Sequence, residues 1–499
     1  MALGRSFTAA LEGVDARIVT VEANIGPGLP GIHVVGLGDA AVSESRDRIR
    51  TAFANSQLAW PKTKVVVSMS PASLRKAGSH FDLPTALAVL AAREPRAAAK
   101  LDRTLVLGEL GLDGSVREVP GVLPSLLAAA AHGCVYALIP AASQEQAILV
   151  PGLRVLPVSS LQQAWDWALG ETLLFEVSGQ PTQSAPPPAA DFSDIAGQSE
   201  AKLAAEVAAA GGHHLIMIGP PGSGKSMIAA RLPGIMPPLT PQSCLEATVV
   251  HSVVGESGVV TRAPFIAPHH SVSRAALLGG GSGRAHPGAV SLAHHGVLFL
   301  DEVSEIPAAI LDSLRTPLED GEIRLVRSRR EVTFPAQFQL VLAANPCRCA
   351  ADDPARCTCT SRQRATYLNN LSGPLRDRLD MVINLTASGA VLSTSLGESS
   401  ATIADRVAAA RAKAEQRWTG HGLAASVNAH VDPHVLRRHH PATEDAMAYL
   451  GGLLAQGKIS QRGVDRSLKL SWTLADLAGE DQPTLEHLGL AVTLRGGRI

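Results

Sequence analysis

Residues 215–231 read "LIMIGPPGSGKSMIAAR": four apolar residues, a turn of glycines and prolines, then a lysine opening a helix-forming run. The window Gly219, Pro220, Pro221, Gly222, Ser223, Gly224, Lys225, Ser226 matches G-x-x-x-x-G-K-[ST]. In such a loop Gly222 and Gly224 let backbone N–H groups turn inward around phosphates, Lys225 sets a cation on the outer phosphates, and the Ser226 hydroxyl can ligate Mg²⁺. The match counts because of its surroundings, a buried strand before it and a helix after it. The expected class is therefore α/β, with a parallel sheet as the nucleotide-binding core.

Working outward, the pattern repeats. "GVLFLDE" (296–302) is an apolar strand ending in Asp301-Glu302. An aspartate there can hold the metal, and the adjacent glutamate can polarise an attacking water, so hydrolysis of ATP is expected and not binding alone. "FQLVLAAN" (338–345) is a further strand, closed by Asn345, whose amide either orients the lytic water or caps the turn before Pro346. In "LSGPLRDRLD", Arg376 and Arg378 are either surface partners of Asp377 and Asp380 or a source of a guanidinium for a neighbouring subunit's γ-phosphate.

The flanks set the boundaries. "SGQPTQSAPPPAA" (178–190) is an uncharged Pro/Ser/Gln linker. Residues 1–177 before it form an α/β domain with strands at "TKVVVSMS" and "TLVLGEL". Residues 191–390 form the core, opening on a helix capped by Ser193 or Asp194, and 391–499 turn helical, as a lid. The chain has 499 residues, 46% of them apolar, and a formal charge of −1. Each domain can bury a core, and any nucleic-acid contact must come from a local patch. The stretch 119–144 lacks charge but is broken by Pro120, Pro124, Gly133 and Pro140, so a helix and a strand are expected there and no membrane span. Four of six cysteines share one loop, a distribution unlike a disulfide-stapled secreted protein, so a cytoplasmic location is expected.

That loop carries Cys347, Cys349, Cys357 and Cys359, a C-x-C…C-x-C set suited to a closed tetrahedral Zn²⁺ site of structural type, with disulfides the alternative. The histidine pairs 269–270 and 294–295, and His132, are poorer ligands, and the pair beside Pro268 reads as a hydrogen-bonded turn. Residues 318–338 alternate like a hairpin with Arg327, Arg329 and Arg330 near its tip, and the glycine-rich 277–288 carries Arg284. Both are candidate DNA contacts that track phosphates, or else a solvated hairpin and a loop.

With "PFIAPHHSVSRAALLGGGSGRAHPGAVSLAHHGVLFLDE", "NPCRC…CTC" and "LSGPLRDRLD" added to the phosphate loop, the chain resembles the YifB/ComM family over essentially its whole length. These are Mg-chelatase-like AAA+ ATPases. The resemblance implies a homo-hexameric ring with ATP and Mg²⁺ between protomers, acting on single-stranded or branched DNA as a helicase driving branch migration in recombination or natural transformation. The alternative is a chelatase-like or protein-remodelling ATPase without a DNA substrate. By motif position Asp301 and Glu302 take the metal and water roles, Asn345 the sensor role and Arg378 the trans-acting finger. One of Arg462, Arg466 and Lys469 takes the second-sensor role. The family pattern has leucine where Arg376 stands, glutamate at Ala289 and an aromatic at Ile306. "MSPASLRKAGSHFDLPTALAVL" and "LVLGELGLDGSVREVPGVLPSLLAAAAHG" resemble the two halves of a Lon-type peptidase fold. His80 stands at the serine position, Ser79 one residue early, and Ser125 at the lysine position, so no Ser-Lys dyad and no peptidase activity are expected.

Overall fold

The computed structural model describes residues 2–35, 40–74, 76, 78–177, 179, 190–281, 285–327, 330–349, 351, 356–368, 371–386, 397–423 and 425–496; most of the proline-rich linker lies outside that set. Two large sheets with their flanking helices, three two-stranded ladders and a helical cap make up the described residues. The first sheet has seven strands: β1 (Ala2–Glu12), β2 (Asp15–Gly26), β3 (Gly31–Val35), β4 (Lys64–Ser70), β5 (Thr104–Val106), β6 (Tyr136–Pro140) and β7 (Arg154–Val158). They lie in the order β3-β4-β2-β1-β5-β6-β7. β1 and β2 form an eleven-pair antiparallel ladder, and the rest of the sheet toward β7 is parallel. The stretch "TLVLGEL" is not one strand. β5 stops at Val106, and Glu109–Leu110 pairs instead with Val116–Arg117, because Gly108 leaves the ladder to accept from Leu83 N.

Five parallel strands form the second sheet: β8 (Leu215–Ile218), β9 (Phe265–Ile266), β10 (Val297–Leu300), β13 (Gln339–Ala344) and β14 (Met381–Asn384), ordered β9-β10-β13-β8-β14. Between β10 and β13 in sequence comes the hairpin β11 (Glu322–Arg327) and β12 (Arg330–Pro335), in register from Glu322↔Pro335 to Arg327↔Arg330. The strands β8, β10 and β13 are buried along their whole length, as parallel strands covered on both faces must be. The mixed α/β character and the parallel core agree with the sequence reading.

The helix before β8 begins later than the sequence indicated. Neither Ser193 nor Asp194 caps it; Asp191 caps a short turn at Phe192–Asp194, and the helix runs Ser199–Gly211. Asp191 instead accepts from Ser193 N at 2.8 Å and from Ser400 N at 3.1 Å, which holds its carboxyl down to about 2. One carboxylate thereby ties the entrance of the core to the first residue of the cap.

That cap is helical: Ser400–Gly420, Pro433–His439, Glu444–Ala455, Gln461–Ala478 and Leu485–Arg495. Its own core gathers around Trp418 and Trp472, with the Arg417 guanidinium 4.2 Å from the Trp472 ring centroid. The first domain seats on helix Pro241–Val253 of the second: Gly121 N donates to Ser252 O at 2.6 Å, and Gln146 Nε2 to Glu256 O at 2.6 Å. It also meets the hairpin. A side chain at Gly13, in the left-handed turn between β1 and β2, would come within 2.6 Å of Val332. No described helix is long and apolar enough to cross a membrane.

Candidate active site

Parallel register builds the site. Ile218 pairs with Ala344 and Leu300 with Leu342, so Gly219, Asp301 and Asn345 emerge at the same edge, past the C-terminal ends of three neighbouring strands. In open α/β sheets that edge is where ligands bind. The loop leaving β8 needs backbone at φ 74° and 90°, and Gly222 and Gly224 supply it. Lys225 then opens the helix Lys225–Ile235. Its Nζ folds back over the loop, donating to Gly219 O at 2.6 Å, Pro220 O at 2.8 Å and Asn345 Oδ1 at 3.2 Å. Burial pulls the ammonium below its usual pKa, opposed by Asp301 and Glu302. The Ser223 hydroxyl is buried with no partner among the described residues. A buried ammonium and a buried, unpartnered hydroxyl in a loop of left-handed glycines fit a polyphosphate.

Ser226 Oγ donates to Asp301 Oδ2 at 2.6 Å, and Asp301 Oδ1 accepts from Glu302 N at 2.8 Å. A hydroxyl and a carboxylate in contact are a donor set for Mg²⁺, which would supply charge neutralisation to a bound triphosphate. Glu302 sits at φ 48°, a conformation costing a non-glycine residue about 1–3 kcal/mol and commonest at functional sites. Its Oε2 lies 2.9 Å from His270 Nδ1. The sequence reading set His270 aside as a turn residue. That holds for His269, whose Nδ1 meets Ser271 Oγ at 2.8 Å, but His270 is spent on the glutamate. Its position just beyond β9, the strand neighbouring β10, was the available signal.

Arg378 is elsewhere. Asp380 directly precedes β14, which runs parallel to β8 from Leu215↔Met381 to Ile218↔Asn384. Arg378 is thus at the sheet end opposite the phosphate loop, about 13 Å away by strand length alone. It pairs with Glu319 and donates to Pro374 O at 2.7 Å. Its Nε is buried without a partner among the described residues. Its ion pair is therefore with neither Asp377 nor Asp380. Those carboxylates belong to Arg462, at 2.8 Å, and to Arg466, and Arg466 also donates to Arg378 O at 2.9 Å. Lys469 donates to Ala429 O at 2.7 Å. Among the second-sensor candidates, Arg462 and Arg466 share the Arg378 end of the sheet. Arg376 ends the turn Gly373–Arg376 beside them.

Beyond Asn345 the chain enters the cysteine loop. Cys347 Sγ is 3.2 Å from Cys349 Sγ and 3.5 Å from Cys357 Sγ, and the four sulfurs, Cys359 included, lie within 4.8 Å of one another. No disulfide joins them. Hydrogen bonding from Cys347, and then from Ala351 N, lowers the Cys349 thiol to about 6, which favours the thiolate a metal needs. A second cluster, Glu246 with His294 and His295, fits a metal poorly. His294 Nδ1 accepts from Gln337 N at 3.1 Å, so its neutral ring carries the proton on Nε2, the atom facing Glu246 at 3.5 Å. Burial lowers the His294 pKa to about 4.

Of the hairpin arginines, Arg327 and Arg330 form the last pair of the ladder; their side chains, and all of Arg329 and Arg284, lie outside the described residues. At the positions aligned with a peptidase dyad, the buried His80 meets Ala9 O at 2.9 Å, Ser79 bonds Glu109, and Ser125 Oγ returns to Gly121 O at 2.7 Å.

Comparison with known proteins decides the kinship. Residues 191–391 match the family model "Magnesium chelatase, subunit ChlI", 21–143 "Subunit ChlI of Mg-chelatase", and 397–495 the C-terminal ChlI model. YifB of Escherichia coli is 40% identical, over 99% of this chain and 97% of its own. The chain belongs to the YifB/ComM family of magnesium chelatase-like AAA+ ATPases. Other relatives span it equally: an uncharacterized protein of Mycobacterium tuberculosis at 49% over 99% of both chains, and competence protein ComM of Haemophilus influenzae at 36% over 99% and 98%. For a YifB/ComM-family chain, ATP and Mg²⁺ are the expected ligands of the edge where Lys225, Ser226, Asp301 and Asn345 converge.

Proposed function

We propose that this protein is a ring motor, a homo-hexamer, that couples ATP hydrolysis to movement on single-stranded or branched DNA, as a helicase driving branch migration in recombination or natural transformation. One observation carries the ring: Arg378 stands at the far end of the sheet from its own phosphate loop. In that position it serves the site of an adjoining copy.

Within each site, Gly219–Ser226 wraps the phosphates, and Lys225 leaves its carbonyl partners for phosphate oxygens. Ser226 and Asp301 would hold Mg²⁺, which would neutralise phosphate charge. Glu302 accepts a proton from the attacking water, Asn345 orients that water, and a neighbour's Arg378 neutralises the developing charge. The hairpin-tip arginines Arg327, Arg329 and Arg330 would contact the DNA; six copies would make a positive channel that follows phosphates without reading sequence. DNA as substrate rests on the ComM kinship. The chelatase-like reading rests on the ChlI family models and requires stimulation by a protein partner. The residues at the peptidase positions, tied up in structural hydrogen bonds, support a first domain that binds or assembles and does not cleave.

Forked DNA is expected to raise the ATPase rate, and changing the three hairpin arginines to alanine is expected to remove most of that stimulation. A rate indifferent to forked DNA would rule out the motor.

The cysteine loop is proposed as a structural Zn²⁺ site. Elemental analysis should find about one zinc per chain. Cys357→Ser should weaken zinc by more than the ~100-fold that losing a supporting hydrogen bond costs, and lower the melting temperature. Zinc retained in full by that variant would count against the site.

A further inference from the structure

The first domain carries a cleft unrelated to the positions of the peptidase dyad. It has a volume of about 660 Å³ and is walled by Pro30, Ile32, Arg46, Arg50, Trp60 and Lys62. Arg46 and Arg50 are one turn apart on the helix Ala40–Asn55, so both point to one side, about 6 Å apart along the axis. Lys62 adds a third exposed cation. None of the three has a hydrogen bond or ion pair among the described residues; one carboxylate, Asp47, shares the rim. In a chain of net charge −1, three unpaired cations around one cavity are a local concentration of positive charge. Trp60 supplies the other half of the chemistry. It is half-buried, and the buried Phe53 holds its ring edge-on at 4.8 Å and 83°, fixing an aromatic surface in the wall between prolines.

We infer that this cleft binds a nucleic-acid single strand, with phosphates on Arg46, Arg50 and Lys62 and a base against Trp60. Cations recruit the backbone of any polyanion, but an immobilised indole beside them selects one that carries unpaired π-faced bases. A duplex hides those faces in its stack, and an acidic peptide has none. The site would hold a strand outside the ring and feed it toward the hairpins. This inference takes its DNA from the motor reading but not its residues.

The full chain tests it, with labelled oligo-dT and an abasic strand of equal length, read by anisotropy across a salt series. Changing Arg46, Arg50 and Lys62 together to alanine should weaken oligo-dT binding about tenfold or more and flatten the log–log salt slope by about 2, at ~0.7 per phosphate contact. The wild type should prefer oligo-dT over the abasic strand by about tenfold, and Trp60→Leu should abolish that preference. The alanine variant changes only exposed side chains, so its melting curve should match the wild type. Unchanged affinity and slope in that variant overturn the inference, as does an equal grip on the abasic strand by the wild type. If forked DNA stimulates the wild-type ATPase while the cleft variant binds normally, the cleft falls and the motor stands. If the cleft variant loses affinity in a protein whose ATPase ignores forked DNA, the motor falls and the cleft stands.

Discussion

Arg378→Ala is expected to cut ATP turnover about 10³-fold or more, the range an arginine finger supplies to phosphoryl transfer. The loss should arise although the residue is remote from the phosphate loop of its own chain. Arg378 is mostly shielded, its Nε is unpartnered among the described residues, and the carboxylate it pairs with there, Glu319, is exposed. An ion pair so open to water holds the guanidinium weakly, and a triphosphate presented by an adjoining copy would displace Glu319. Complementation separates this from simple damage. On the proposed ring, Lys225→Ala should disable the site a chain contributes, and Arg378→Ala the site it completes. Mixing the two inactive proteins should restore part of the activity, because some junctions then pair an intact loop with an intact arginine. A mixture as inactive as its components, or an Arg378→Ala protein with normal turnover, would remove the trans assignment. An isolated monomer with full activity would do the same.

Glu302→Gln should lower turnover by about 10²–10⁴-fold, the usual contribution of a positioned general base, while ATP binding survives. The amide keeps the shape of the side chain, and Asp301, which meets Ser226, is untouched. His270 makes a companion test. Its contact with Oε2 occupies the atom that would accept the proton of water, so His270→Ala should raise turnover in the absence of DNA. A Glu302→Gln protein that hydrolyses ATP at the wild-type rate would move the base elsewhere. A His270→Ala protein as inactive as Glu302→Gln would make the histidine part of the chemistry and not a restraint on it.

The phosphate loop and the acidic strand end were legible because their chemistry is local. Gly222 and Gly224 are where a left-handed turn needs them, and Asp301-Glu302 closes an apolar run long enough for a buried strand. Capping and breaks were less legible. Asp191 caps only the short turn at Phe192–Asp194, where its carboxylate also reaches Ser400, more than two hundred residues away, and the helix itself starts later, at Ser199. β5 ended early because Gly108 bonds to Leu83. In each case a long-range hydrogen bond outcompeted a local preference, and local preferences are all a single sequence displays.

The sequence by itself determined the class of fold, the phosphate-binding loop, the acids that follow β10, and the cysteines close enough in the chain to meet. All of these depend on spacings of a few residues. Only the tertiary structure decided that Asn345 touches Lys225, that His270 meets Glu302, that Arg378 stands at the sheet end opposite its own glycine-rich loop, and that Arg46, Arg50, Trp60 and Lys62 share a cleft. These follow from strand order and parallel register, which align the ends of segments far apart in the chain and are set by burial of the whole sheet.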